Sequence, residues 1–335
     1  MNLRGPVFRL WLFVPCLLSV LLPLTVHAQE KKNLRAVFTG LAWNSELPFR
    51  VALARGFFKA QGLDVQPIFV RGGPMALAAL SSGEVEFAEL GGAQAIMRSR
   101  SRGLDAVIIA SIANATTFQL VGAKPTRSLE DLKGKIIGVT GAGAFSDFAM
   151  RIFLRRKGID PEKDVTLRAV GSSNMRVSAL EKGIVVAAPF SPEDTVRLVR
   201  LGYPMIANMS DTLNIPQSIV VARNEALEKM PDTAKRFLKA LILGMQLAKT
   251  NKADAIRAGY EAGLQGPPDI VNEAYDLYAP VFSGDLSLNL TGFQFMLDED
   301  KRSGLIDAKF TLERAINDRV LKIAQQELRA EGRLK

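Results

Sequence analysis

The chain has 335 residues, with 43 basic against 34 acidic side chains for a net charge of +9, and a single cysteine and a single histidine. Cys16 and His27 both fall in an N-terminal stretch that reads as a secretion leader, so the remainder excludes disulfides, thiol or imidazole catalysis and the usual zinc sites. The basic residues are interleaved with acidic ones, without a Lys/Arg run or aromatic platform, which argues for a mixed solvated surface and against nucleic acid.

The leader has the expected parts in order. Arg4 and Arg9 supply positive charge, Leu10 to Leu24 the apolar core, and Val26-His27-Ala28 a small-x-small cleavage site before Gln29. The core is shorter than the ~20 apolar residues a spanning helix needs, and Pro15 and Pro23 break it. Pro15 before Cys16, with more apolar core after it, argues against a lipidated N-terminus. Residues 1–28 are therefore expected to be removed and the product exported.

Strand and helix signals then alternate. Val37-Phe38 ends a strand at Thr39-Gly40, followed by a loop Trp43-Asn44-Ser45. A helix follows with Asn44 or Ser45 as N-cap, Pro48 in its first turn, and Leu47, Val51, Ala54 and Phe58 at apolar spacing. Phe57-Phe58 belongs to its buried face, and Gly62 suits a left-handed stop. Leu63–Val70 is the next strand, closed by Gly72-Gly73; Pro74 opens an Ala-rich helix, and Val85–Leu90 closes on Gly91-Gly92. Such alternation predicts a parallel sheet flanked by helices.

After a helix over Ala93–Arg100 come strands at Ala106–Ile112 and Thr116–Val121, and a capping-box spacing at Ser128 to Asp131. A second alternating unit follows. Its strands are Lys135–Thr140, Val165–Val170, Ile184–Ala188 and Met205–Ala207, and its helices Ser146–Lys157, Met175–Lys182 and Glu193–Leu201. Ser218–Ala222 is a further strand. Beyond Asn224 the pattern is helical, with blocks from Pro231 to Leu247, then 253–262, 269–277, 291–303 and 312–328. Helices without strands are expected to pack back on the first sheet, which makes the first lobe discontinuous.

The segments ARGFFKAQGLDV, SSGEVEFAELGG and SLEDLKGKIIGVTGAG resemble the periplasmic substrate-binding proteins of ABC importers. The branch is the one that includes aliphatic-sulfonate, taurine, nitrate and thiamine-precursor binders. This resemblance implies an α/β, two-lobed Venus-flytrap fold with two crossing segments, each lobe a mainly parallel sheet flanked by helices. Lobe 1 is expected over residues 29–122 plus 212–335 and lobe 2 over 123–211. It implies a monomeric solute-binding protein that takes a small organic anion, such as a sulfonate or carboxylate, and presents its closed form to an inner-membrane ABC permease. The alternatives are a neutral heteroaromatic ligand or a sensing subunit that reports to a receptor. The related pyrimidine synthase depends on a histidine and a cysteine-rich motif that are absent after the leader, so no enzyme, cofactor or metal is expected.

In open parallel sheets, ligands bind beyond the carboxyl ends of the strands. That rule selects Thr39, Gly40, Trp43, Asn44, Gly72, Gly73, Gly91, Gly92, Thr116 and Thr117 in the first half. In the second it selects Thr140, Gly141, Gly143, Ser146, Ser172, Ser173, Asn174, Pro189 and Phe190. Trp43, the only tryptophan after the leader, is read either as a pocket wall or as a plug at the end of the core. The glycines of Gly138–Ser146 lack the order of a nucleotide loop; they are expected to offer backbone N–H groups to an anionic head, with Ser146 capping the helix. The resemblance favours a ligand role for Gly91-Gly92. The rim charges Arg71, Glu46, Glu89 and Asp147 are expected to be solvated or ion-paired.

Overall fold

Alternating apolar strands and amphipathic helices build two five-stranded sheets. The computed structural model describes residues 1–2, 32–39, 42–70 and 73–335. The leader beyond Asn2, and Gly40, Arg71 and Gly72, lie outside the described residues. In chain order the first half holds β1 (Lys32–Phe38), α1 (Trp43–Ala54), α2 (Phe57–Ala60), β2 (Leu63–Phe69), α3 (Gly73–Ser82), β3 (Phe87–Gly91), α4 (Gln94–Ser101) and β4 (Ala106–Ala113). There follow β5 (Gln119–Gly122), β6 (Ile136–Val139), α5 (Phe145–Arg156), β7 (Thr166–Ala169), α6 (Ser173–Glu181), β8 (Ala187–Phe190), α7 (Pro192–Arg200) and β9 (Met205–Asn208). Then come β10 (Ser218–Arg223), α8 (Asn224–Lys229), α9 (Pro231–Thr250), α10 (Lys252–Glu261), α11 (Pro268–Tyr278), α12 (Leu290–Arg302) and α13 (Arg319–Ala330).

The first sheet has the order β2-β1-β3-β10-β4 and the second β7-β6-β8-β5-β9. Each is parallel except for one strand: β10 runs antiparallel to β3 and β4, and β5 antiparallel to β8 and β9. These are the strands that follow the two crossings, Asn114–Phe118 and Met209–Gln217. The architecture is therefore the two-lobed α/β one, mainly parallel in each lobe. Gln119–Gly122, expected in the first lobe, pairs in the second sheet.

Burial explains the strands. All eight residues of β4, AVIIASIA, are buried, as a strand covered on both faces requires. Its free edge is closed by the chain after α12, where Ile108 N–H donates to Ala315 O at 2.8 Å and Asn317 N–H to Ile108 O at 2.9 Å. On one face of the sheet Phe87 stacks on Phe237 of α9, with centroids 4.0 Å apart, and Phe58 joins the same stack. Such contacts contribute about 0.5–1.5 kcal/mol each beyond area burial. The α9 helix lies so close to α1 that a Cβ on Gly244 would sit 2.2 Å from Pro48 O.

Several expectations need correction. The helix expected through Phe58 is two, because Gly56 takes φ +68° between them. Trp43-Asn44-Ser45 is the first helical turn rather than a loop; the N-cap is Ala42, and Pro48 lies inside the helix. Residues 312–328 form a short 3₁₀ turn and then α13. The C-terminal helices do not all return to the first sheet, since α11 packs on α7 and Arg200 pairs with Asp269 and Glu273 across that contact. Among the described residues, no helix is long and apolar enough to cross a membrane.

Candidate ligand cleft

The strands β1, β3 and β6 all end on one cavity of about 250 Å³ between the two sheets. From the first lobe come Thr39, Gly73, Leu90, Gly91, Gly92 and Ala95; from the second come Thr140, Ala144, Phe145 and Ser146. The crossing segments add Phe118 and Gln217. Six residues expected from strand-end position thus meet here: Thr39, Gly73, Gly91, Gly92, Thr140 and Ser146. Phe118, Phe145 and Gln217 were not anticipated.

Gly92 shows why a glycine is needed. Its φ is +96°, and a Cβ would fall 2.7 Å from Phe145 Cδ2 and 3.0 Å from Gln94 Oε1. The bare backbone lets the ring of the other lobe approach, while the Gly92 N–H donates to Gln217 O at 2.5 Å. The rings of Phe118 and Phe145, with centroids 5.9 Å apart, form the apolar part of the wall.

Two polar groups of the wall have their acceptor oxygens occupied from behind. Gln217 Oε1 accepts from Thr116 Oγ1 at 2.8 Å and from Thr117 N–H at 2.6 Å. That fixes the amide and leaves its NH₂ as the end facing other partners. Thr140 Oγ1 accepts from Ser146 Oγ at 2.9 Å and from Arg176 Nη1 at 2.8 Å, so its own hydrogen is left to donate outward. Arg176 is 4% exposed. Its guanidinium also donates to Gly171 O and Pro189 O, and among the described residues it has no carboxylate within ion-pair distance. Burial lowers its pKa to about 10, which still leaves it charged at neutral pH. Its hydrogen bonds go to neutral groups, so it puts positive potential behind Thr140, offset in part by the nearby charge of Asp194.

On the first-lobe side two carboxyls are buried. Glu46 pairs with Arg50 in the same helix at 2.5 Å, yet burial pushes its pKa up to about 7. Glu89, 3% exposed, faces Ser218 Oγ at 2.8 Å and Thr39 Oγ1 at 3.3 Å; burial raises its pKa as well. Neither is a solvated rim charge. Asp147 accepts from Gly143 N–H at 2.8 Å and pairs with Arg151.

The remaining candidates sit elsewhere. Trp43 is 2% exposed, donates from Nε1 to Gln265 O at 2.8 Å and meets Tyr260 edge-on at 4.8 Å. A Cβ on Gly259 would lie 2.4 Å from its ring, so Trp43 is a core plug seated on α10. Asn44, Thr116 and Thr117 are buried behind the wall, with Asn44 Nδ2 donating to Thr117 Oγ1 at 2.6 Å. Gly143 gives its N–H to Asp147 rather than to the cavity, and Gly141 does not line it. Ser146 does not cap its helix, whose N-cap is Ala144; it ties β6 to α5 by accepting from Thr140 N–H at 2.9 Å. Ser172 is the N-cap of α6, Ser173 donates to Asp194, and exposed Asn174 points to no cavity residue. Pro189 supplies a carbonyl to Arg176, and Phe190 is fully buried beneath it.

Comparison with known proteins agrees with the two-lobed fold. The model of the family described as NMT1/THI5 like matches residues 43–255. The binding protein YtlA of Bacillus subtilis is 23% identical over 284 residues, covering 82% of this chain and 84% of YtlA. The riboflavin-binding protein RibY of Chloroflexus aurantiacus is 23% identical over 227 residues, 66% of this chain and 63% of RibY. The alkanesulfonate-binding protein SsuA of Xanthomonas axonopodis pv. citri, solved with MOPS bound, superposes with a TM-score of 0.67 at 17% identity, over 87% of this chain and 99% of SsuA.

Proposed function

This chain belongs to the NMT1/THI5-like family, and from that premise we propose that it is the periplasmic solute-binding component of an ABC-type importer whose cargo is a small organic anion. The observation that carries the choice of ligand is the donor set of the cavity. Thr140 and Gln217 have their acceptor oxygens occupied from behind, and the guanidinium of Arg176, with no carboxylate within ion-pair distance among the described residues, stands behind Thr140. Such a wall favours a sulfonate or carboxylate head and penalises an ammonium group. The Phe118–Phe145 pair would hold the apolar end of the same molecule. A cavity of about 250 Å³ lies just below the ~300–1,000 Å³ typical of pockets for drug-sized ligands, which suits a compact solute.

We read the site as one for capture, because its wall is built of hydroxyls, an amide and phenyl rings. Ligand between the lobes would hold the Gly92–Phe145 approach in place and favour the closed form in proportion to its better affinity for that form. A permease would then read that form. Mass spectrometry of the solute released from protein purified after export tests the reading. A small sulfonate or carboxylate is expected, and a polyamine or other cation would overturn it.

A further inference from the structure

Glu89 projects from β3 into the apolar layer between the first sheet and the helices α1 and α9, among Phe38, Phe49, Phe87 and Phe237, and touches Thr39 of the cavity wall. The chain after β1 brings Thr39, β10 brings Ser218, and α9 brings only Phe237 and Leu241. The charge near it comes from α1: Glu46, which repels it and which takes both Nε and Nη2 of Arg50. A carboxylate here would be a buried anion with no counter-ion of its own, which is the costly alternative. Ser218 Oγ and the Thr39 backbone N–H donate to the Glu89 carboxyl, and the Thr39 hydroxyl, whose hydrogen is free to rotate, lies 3.3 Å from its second oxygen. A carboxylic acid keeps both accepted bonds and adds one donor toward Thr39 Oγ1.

We propose that Glu89 is a positioning residue of the cleft: its carboxyl O–H donates to Thr39 Oγ1 and so turns the Thr39 hydroxyl into a fixed donor for the anionic head of the ligand. The inference rests on the anion reading above. It completes the pattern across the cavity, since Thr39 on the first lobe is then prepared from behind by Glu89 as Thr140 on the second is by Arg176 and Ser146. Loss of the Glu89 proton would reverse the contact. Thr39 would donate to the carboxylate and present lone pairs to the ligand.

Two measurements test this, with ethanesulfonate as the probe. Infrared difference spectra of wild type minus Glu89→Gln, taken without ligand at neutral pH, should show the carbonyl stretch of a protonated carboxylic acid. Calorimetric affinity should hold near neutrality and fall as the pH rises and Glu89 ionises. Glu89→Gln, whose NH₂ keeps a donor toward Thr39, should bind within about threefold of wild type at neutral pH and lose that fall. Thr39→Val should bind about 10-fold more weakly and lose it too, on the scale of a hydrogen bond to a charged group. If Glu89→Gln does not fold, the pH profile of Thr39→Val decides. A fall that persists in either variant, or a missing acid band with ethanesulfonate binding intact, overturns this inference alone. Failure of wild type to bind any sulfonate or carboxylate, with the acid band present, overturns the anion reading and this inference with it.

Discussion

Arg176 and Trp43 show how differently a strand-end rule and a packed interior assign residues. Arg176 lies on the buried face of α6 beside Val177 and Leu180, so its pattern in the sequence is that of a core position occupied by a charge. That anomaly was legible and is the signal that finds it. Arg176→Met should weaken ethanesulfonate binding by about 10–100-fold, the scale of a hydrogen-bonded charge, with the lobe still folded; calorimetry and far-UV dichroism on one preparation check both halves. Trp43→Ala should do the opposite. Removing a ring wedged against Gly259 and Tyr260 costs about 3–5 kcal/mol of stability, measured by denaturant unfolding, while affinity at temperatures where the variant is folded stays within about threefold. Gly92→Ala should lower affinity without unfolding the first lobe, because its Cβ occupies the place where Phe145 closes and the residue must hold φ +96°.

At the scale of elements, strand and helix order was readable almost throughout, because apolar runs and glycine stops are local properties. What was not readable was set by contacts distant in sequence. Nothing near Trp43 announces that Gly259 will receive its ring, or that Pro48 will sit inside a helix with its carbonyl against Gly244. Nothing local marks Gln217, and only the crossing of Thr116 and Thr117 beside it fixes its amide. The α1–α9 contact offers a direct check. A side chain at Gly244 would overlap Pro48 O and Ala52, so Gly244→Ala should cost about 1–3 kcal/mol by overpacking, seen as a lower denaturant midpoint with an unchanged slope.

For the whole molecule, the two lobes are joined by the crossing segments and also by contacts that must change if the cleft opens. Arg98 of α4 pairs with Asp300 at 2.7 Å and donates to Gly143 O of the other lobe at 3.1 Å. The buried carboxyls bear on stability as well. Glu46 has a pKa of about 7 when folded against 4.5 as its ordinary value, so the folded state holds a proton the unfolded chain has lost. Its contribution is therefore full below about pH 4.5 and declines as pH rises through about 7, and Glu89 acts in the same direction. Melting temperature should fall between about pH 5 and about pH 8, and Glu46→Gln should shrink that fall; a melting temperature that rises over the interval would contradict the assignment.

Paired calorimetric titrations with ethanesulfonate and ethylamine test the proposed preference of the cleft for negative charge most directly. The two probes share an apolar end and differ in the sign of the head, so the Phe118–Phe145 wall treats them alike and the donors do not. Saturable one-site binding of ethanesulfonate, with no detectable heat from ethylamine, is the result expected. Binding of ethylamine without ethanesulfonate would contradict it.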